Sequence, residues 1–285
     1  MPKIATIGFF DGVHRGHRFL FAQLQEQAKL LNLSPVIYTF SEHPKQVLTG
    51  EAPAMLTTYA EREARLRAYG EVHFLDFAQV RHLTAEQFMR YLHEEQGVDT
   101  LLIGYDHHFG SDCLKGFSEY EHVGKHVGLR VLRAYECLVD SLPVSSSRIR
   151  KLLAAARIDQ VNRLLGYTYS ISGVVEHGNA IGTTLGFPTA NIRLSSHKQL
   201  PASGVYAVSA DVDGGEYMAL ANIGTNPTVG NDYLSLEVHL LDFQGDLYGK
   251  QLTIAFCSFL REERKFGSLE ELQQQIAEDI RQAFQ

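Results

Sequence analysis

The segment best equipped for chemistry is Gly8-Phe-Phe-Asp-Gly-Val-His-Arg-Gly-His17. Gly8, Gly12 and Gly16 let the backbone turn tightly and approach a ligand closely. A helix opening at this point aims free N–H groups and positive potential at an anion. His14 and His17 add imidazole donors on the same turn, and Asp11 stands between the glycines. Such a set suits a phosphate site at which charge develops on a transferring phosphoryl group. It lacks the closing Gly-Lys-Ser/Thr of a P-loop. Two plainer readings stay open: a tight turn with ordinary surface histidines, and a His-x-x-His metal pair.

Three other segments carry reactive or charged groups. In Val144–Arg150, the hydroxyls of Ser145, Ser146 and Ser147 stand at an expected helix start, followed by Arg148 and Arg150. They either close around a triphosphate or simply cap the helix. Asp106 lies just past an expected strand end, where a carboxylate could meet ribose or base; of His107 and His108, at least one reads as solvated loop. The run Gly182–Asn191 holds Gly182, Gly186 and Pro188, followed by the oxygen donors Thr189 and Asn191. Hard oxygen ligands suit Mg²⁺ shared with ATP phosphates, while the plain alternative is an Asn-capped proline turn. Glu237 alternates with Leu234, Leu236, Val238 and Leu240, so it shares a strand face with Ser235 and His239. It is either an exposed strand carboxylate or a base facing a cleft.

These groups need elements to position them. Ile4–Ile7, Val36–Phe40, Val72–Phe77, Leu101–Gly104 and Leu129–Ala134 read as strands. Helical patterns lie between them over Phe19–Leu31, Ala60–Tyr69, from Thr84 to near Gly97, and around Tyr120–His126. Strict alternation predicts an α/β domain with a doubly wound parallel sheet, whose ligands sit beyond the carboxyl ends of the strands. Ser147–Gly166 reads as one helical stretch. Then the rhythm changes to strands at Tyr169–Val175, Val205–Val212, Tyr217–Ile223, Leu234–Leu241 and Leu252–Phe259, with a closing helix from Ser268. This predicts a small β-barrel or sandwich followed by one helix. The domains expected are 1–160 and 161–285.

The chain has 285 residues, 45% hydrophobic and 21% charged, an ordinary globular composition. The net charge of −7 arises entirely after residue 166, and neither half is basic, which excludes a nucleic-acid duplex as the main partner. No apolar run reaches the roughly 18 residues of a membrane span, and no secretory signal opens the chain. Cys113, Cys137 and Cys257 are odd in number and far apart, arguing against a disulfide framework and for a reduced, cytoplasmic protein.

The His14-Arg-Gly-His17 turn resembles that of the nucleotidylyltransferase superfamily of Rossmann-like adenylyl transferases, which implies a Rossmann-like N-terminal domain. Thr39–Pro44, Ile103–Gly110, Val144–Arg150, Leu185–Asn191, Ala221–Pro227 and Leu236–Asp242 narrow the resemblance. Together, over nearly the whole chain and in order, they are similar to the bacterial bifunctional riboflavin kinase/FMN adenylyltransferase family. That resemblance implies a C-terminal six-stranded-type barrel and ATP, riboflavin and FMN as substrates. It implies Glu237 as catalytic base, Thr189 and Asn191 at Mg²⁺, and Arg261–Phe266 bordering the flavin. It assigns His14, His17 and the serine–arginine segment to ATP. Phe9 departs from the family's usual Asn, and Thr183 from a common Arg. A single-activity adenylyltransferase and a non-catalytic flavin or nucleotide regulator are the rival readings.

Overall fold

The computed structural model describes residues 2–177, 187–194, 197–225 and 234–284. It divides into two compact units, Met1–Ser146 and Ser147–Gln285.

In the first unit, β1 (Lys3–Ile7), α1 (Arg15–Leu31), β2 (Ser34–Phe40), α2 (Pro44–Thr49), α3 (Tyr59–Leu66) and β3 (Glu71–Leu75) form the leading half. There follow α4 (Phe77–Val80), α5 (Ala85–Arg90), β4 (Val98–Ile103), α6 (Phe117–Val127), β5 (Arg130–Arg133) and the hairpin strands β6 (Leu138–Val139) and β7 (Leu142–Pro143). The five main strands are parallel, in the order β3-β2-β1-β4-β5. Strand residues alternate between two cores. Ile4, Ile37 and Leu102 pack with Leu20, Phe21 and Leu24 of α1. Ala5, Val36, Tyr38 and Leu101 pack with Ala85, Phe88 and Met89 of α5 and with Tyr120 of α6. Both faces are therefore covered, as a parallel sheet requires. The chain reverses direction across the sheet between β1 and β4, so the loops after these two strands flank the crevice where such sheets bind ligands.

In the second unit, the helical stretch expected over 147–166 is broken. α7 (Ser146–Ala154) ends where Ala156 adopts a left-handed φ of 54°, and α8 (Ile158–Leu165) starts afresh. The side-chain amide of Asn162 on α8 donates to the Phe256 carbonyl and its oxygen accepts from the Tyr169 N–H, so α8 is stapled to the barrel. A domain limit at 160/161 would fall inside this helix.

The barrel closes in the order β10-β11-β12-β9-β8-β13. Its strands are β8 (Ser170–Glu176), β9 (Ala190–Arg193), β10 (Gly204–Val212), β11 (Gly215–Thr225), β12 (Leu234–Leu240) and β13 (Gln251–Arg261). The short β9, absent from the sequence reading, begins in the Pro188–Asn191 run and completes closure between β12 and β8. Inward residues such as Ile171, Tyr206, Ala221, Val238 and Phe256 fill the interior. The closing helix α9 (Leu269–Phe284) is fastened by Asp279, only 1% exposed. Asp279 accepts from Arg261 Nε at 2.9 Å and Nη2 at 2.8 Å, and from Gln275 Nε2 at 2.7 Å.

Removing one partner of a buried ion pair leaves the other charge stranded. Asp279→Ala should therefore cost about 3 kcal/mol of stability. Urea unfolding of the substituted chain, followed by circular dichroism, checks this; an unchanged midpoint refutes the fastening role.

Candidate active sites

The loop between β1 and α1 is built on strain held in place by Asp11. Phe10, Gly12 and Val13 adopt left-handed φ angles of 56°, 80° and 37°. For a β-branched residue such as Val13 this is costly and persists only where surroundings over-determine it. The Asp11 carboxylate, 2% exposed, accepts from the Leu56 and Thr57 N–H groups at 3.0 Å and from the Thr57 hydroxyl at 3.1 Å. The same hydroxyl accepts from the Gly12 N–H at 3.0 Å. Asp11 thus faces inward and shapes the loop. Behind it, buried Arg62 donates to the carbonyls of Phe9 and Phe40, and Asp11's charge favours its protonated form against the desolvation that lowers its pKa.

The loop delivers two histidines. His14, 4% exposed, caps α1 by accepting the His17 N–H at Nδ1, which leaves its proton on Nε2. The two rings stack at 3.6 Å with planes 18° apart. Burial pushes the His17 pKa well down, and the neighbouring His14 and His107 add to the effect. His107, from the loop after β4, is lowered to about 4 by burial. His17 Nδ1 and His107 Nε2 are buried atoms without a hydrogen-bond partner. Neutral imidazoles with unmet hydrogen-bonding capacity, at the sheet's switch point, are suited to receive an anion's oxygens. No cluster of three or more His, Cys, Asp or Glu able to hold a metal occurs among the described residues.

Nearby, the Ser146 hydroxyl donates to the Asp11 carbonyl at 2.9 Å, and a Cβ on Gly16 would sit 3.3 Å from the Val144 carbonyl oxygen. The segment leading into α7 therefore rests on the glycine loop. Gly8 is buried and Ser145 exposed. Ser147, Arg148 and Arg150 lie further along α7, in the second unit.

Two cavities adjoin His107. One, about 440 Å³, is lined by Phe9, Phe40, Phe77, Phe88 and Phe109, with Pro44 and Arg81 at its wall. Its size and aromatic lining fit a planar heteroaromatic ligand. The Phe9 ring lies 4.1 Å below the Arg62 guanidinium and 4.5 Å from His43, so the aromatic at this position forms wall rather than polar contact. The other cavity, about 220 Å³, is lined by Tyr105, Asp106, Lys115, Tyr120 and Arg133.

In the second unit the candidate residues stand on the outside of the barrel wall, beside α9. Ladder pairing places Glu237 directly between Asn222 of β11 and Asn191 of β9, on one face. The cleft over this row, about 310 Å³, is lined by Phe187, Thr189, His239, Arg264, Phe266 and Ile276 among others. Glu237 is half-buried, and its pKa is raised first by burial and then by the charge of Glu263. The Asn222 amide donates to Glu263 at 3.0 Å. Glu263 in turn rests on Gly224, where a Cβ would come within 2.2 Å of its oxygen. His239 Nδ1 pairs with the Pro188 carbonyl at 2.8 Å and its ring meets Phe187, holding the strand that leads to Thr189. Arg261 is spent largely on Asp279, while Arg264 lies 4.8 Å from the Phe266 ring. Gly182 and Gly186, with Thr183, lie outside the described residues.

Residues 1–148 match the family described as FAD synthetase, and residues 165–285 that described as riboflavin kinase. The chain belongs to the bifunctional riboflavin kinase/FMN adenylyltransferase family. A protein of that name from Pseudomonas fluorescens is 43% identical over 97% of this chain and 90% of its own length. Another from Escherichia coli K12 is 37% identical with the same coverage. A Streptococcus pneumoniae crystal structure named as a macrolide-efflux protein superposes with TM-score 0.90 at 31% identity, over 98% of this chain and 93% of the other. No helix among the described residues is long and apolar enough to cross a membrane.

Several residues that line these cavities carry no local signal in the sequence. Asn222 and Glu263 are linked to Glu237 only by pairing across strands. The cavity phenylalanines come from five separate segments. A strand-pairing guess for Ala221–Pro227 against Leu236–Asp242 would have found Asn222.

A histidine held neutral by burial binds fewer protons folded than unfolded. Stability should therefore be complete above pH 6.5 and fall as the pH drops toward about 4, the value to which His107 is lowered. Urea midpoints across that window check this, and His107→Gln should flatten the slope by up to one proton.

Proposed function

We propose that the first unit joins FMN to the adenylyl group of ATP and that the barrel unit phosphorylates riboflavin. The chain is a bifunctional, ATP-dependent enzyme of flavin synthesis: riboflavin becomes FMN, and FMN becomes FAD with release of pyrophosphate. The two sites divide as these reactions require. The carrying observation is that the first unit gathers neutral hydrogen-bond donors, whereas the barrel cleft holds a carboxylate of raised proton affinity.

An alcohol is scarcely ionised at pH 7, so riboflavin's terminal hydroxyl needs a base. Glu237, desolvated beneath α9 and close to a second carboxylate, is poised to take that proton as the hydroxyl attacks the γ-phosphorus. Asn222 and Asn191 flank it in the ladder and fix where the hydroxyl must sit. Thr189 and Asn191 supply hard oxygen donors beside this row, a set that fits Mg²⁺ sharing its shell with phosphates. When bound, that ion neutralises phosphate charge. Phe187, Phe266, Leu272 and Ile276 give the isoalloxazine ring an apolar bed.

FMN needs no base, because its phosphate is already largely ionised with a second pKa near about 6. What the transfer needs is alignment and neutralisation. His14 and His17, backed by the α1 N-terminus and the Ser145–Ser146 approach, would hold the ATP phosphates. The strain at Phe10 and Val13 brings that backbone close. The phenylalanine-lined cavity beside His107 takes the flavin ring of FMN. The smaller cavity, with Asp106 and Arg133, takes adenosine. Three free cysteines suit a reducing compartment, and we place the protein in the cytoplasm.

Glu237→Gln should lower FMN formation by about 10²–10⁴, the contribution of a positioned base, while FAD formation from supplied FMN stays near normal. His14→Ala with His17→Ala should do the converse, at about 10²–10³ for each lost donor. Chromatographic separation of riboflavin, FMN and FAD on one folded preparation reads both. Equal loss of both activities in either protein would sink the division of labour. A fragment of residues 147–285 keeps the α8 staples and should still phosphorylate riboflavin.

A further inference from the structure

The cavity proposed for the flavin ring has aromatic and aliphatic walls with one lysine or arginine among its lining residues, Arg81. Arg81 follows α4, and its side chain is steered from two sides. Nη1 donates to the Val47 carbonyl of α2 at 3.3 Å, and Nε donates to His82 Nε2 at 3.2 Å. A guanidinium carries five N–H donors in a rigid planar fork, so these two bonds leave three more on a side chain that lines the cavity. His107 lines the same cavity and lies near enough to His17 to disfavour its protonation. His107 therefore marks the end that opens toward the phosphate turn.

A ligand whose phosphate reaches His17 must carry its ring inward among the phenylalanines. An isoalloxazine ring cannot fill such a cavity with apolar surface alone. It bears two adjacent acceptor pairs, N1 with O2 and N5 with O4, and a buried acceptor without a donor is costly. We propose that Arg81 reads one of these acceptor pairs and so selects a flavin over other planar aromatic phosphates. This rests on the reading of the cavity as the FMN site. Arg81 is a binding residue remote from the phosphates, so its loss acts on substrate affinity and leaves the transfer step itself intact.

The test measures FAD-type product from FMN, 1-deaza-FMN and 5-deaza-FMN with the full chain, by chromatography, for the unsubstituted protein, Arg81→Met, Arg81→Lys and Phe109→Ala. In the unsubstituted protein, one deaza analogue should lose about tenfold or more in kcat/KM, as expected for a bond to a charged donor. Arg81→Met should raise the FMN KM by a similar factor with kcat held within about twofold, and the analogue should then lose nothing further. Arg81→Lys, which keeps charge without the fork, should fall between. Riboflavin phosphorylation by each variant confirms that the chain is folded. Analogues that match FMN in the unsubstituted protein overturn the proposal, as does an analogue penalty that survives Arg81→Met unchanged; either result leaves Arg81 as a tie between α2 and α4. If Phe109→Ala also leaves the FMN KM unaltered, the cavity itself is not the flavin site and both readings fall.

Discussion

The Asp11 carboxylate determines the shape of everything at the crevice of the parallel sheet. A buried carboxylate needs donors, and Asp11 finds them on Leu56 and Thr57, far away in sequence. These bonds tie the loop after β1 to the entrance of α3. With that tie made, the left-handed turns at Phe10 and Val13 are held, and His14 arrives at the cap of α1. The strain is therefore balanced by hydrogen bonds whose alternative is an unsatisfied buried charge. Arg62 completes the arrangement from behind, binding the carbonyls at the ends of β1 and β2 and facing the Phe9 ring. Beside this cradle lie the buried, unpartnered His17 Nδ1 and His107 Nε2.

The barrel unit solves a different problem. Its interior is filled by side chains, as a small barrel's must be, so no ligand can enter it. The row proposed as reactive, Asn222, Glu237 and Asn191, instead stands on the outer wall and is desolvated by a cover. That cover, α9 with the 261–267 segment, depends on the Arg261–Asp279 pair. Glu237 is desolvated because of where the helix lies, and the helix lies there because of a salt bridge at the end of β13. Arg261 thus lines this cleft while its guanidinium is held by Asp279.

How much could be read beforehand follows from the range of the forces involved. Strand and helix alternation was legible because it is local, a period repeated over a few residues, and it gave the doubly wound sheet and the outward face of Glu237. The histidine turn was legible because all its parts lie within ten residues. Asp11's inward direction was not, since its partners are about 45 positions away. The four-residue β9 was hidden because it carries too few residues to show a period and begins beside a proline. The break between α7 and α8 was hidden too: an Ala-rich run signals helix, and only tertiary bonds of Asn162 and the left-handed Ala156 explain why it stops. Loop solvation was expected of at least one of His107 and His108: His108 is exposed, while His107 is partly buried with its Nε2 enclosed.

Placing the reactive row on the outside of a closed barrel separates two kinds of mutational freedom. The inward residues of β8 to β13 answer only to packing, and their substitution changes how firmly the plate holds together. The outward residues and the face of α9 line the cleft, and their side chains stand on the opposite side of the wall from the interior packing. Because β-strand side chains alternate, neighbouring codons along β12 belong to different selective regimes: Leu236 and Val238 to one, Glu237 and His239 to the other. A catalyst arranged this way can be retuned for a new alcohol by changes on one surface, with its scaffold inherited intact.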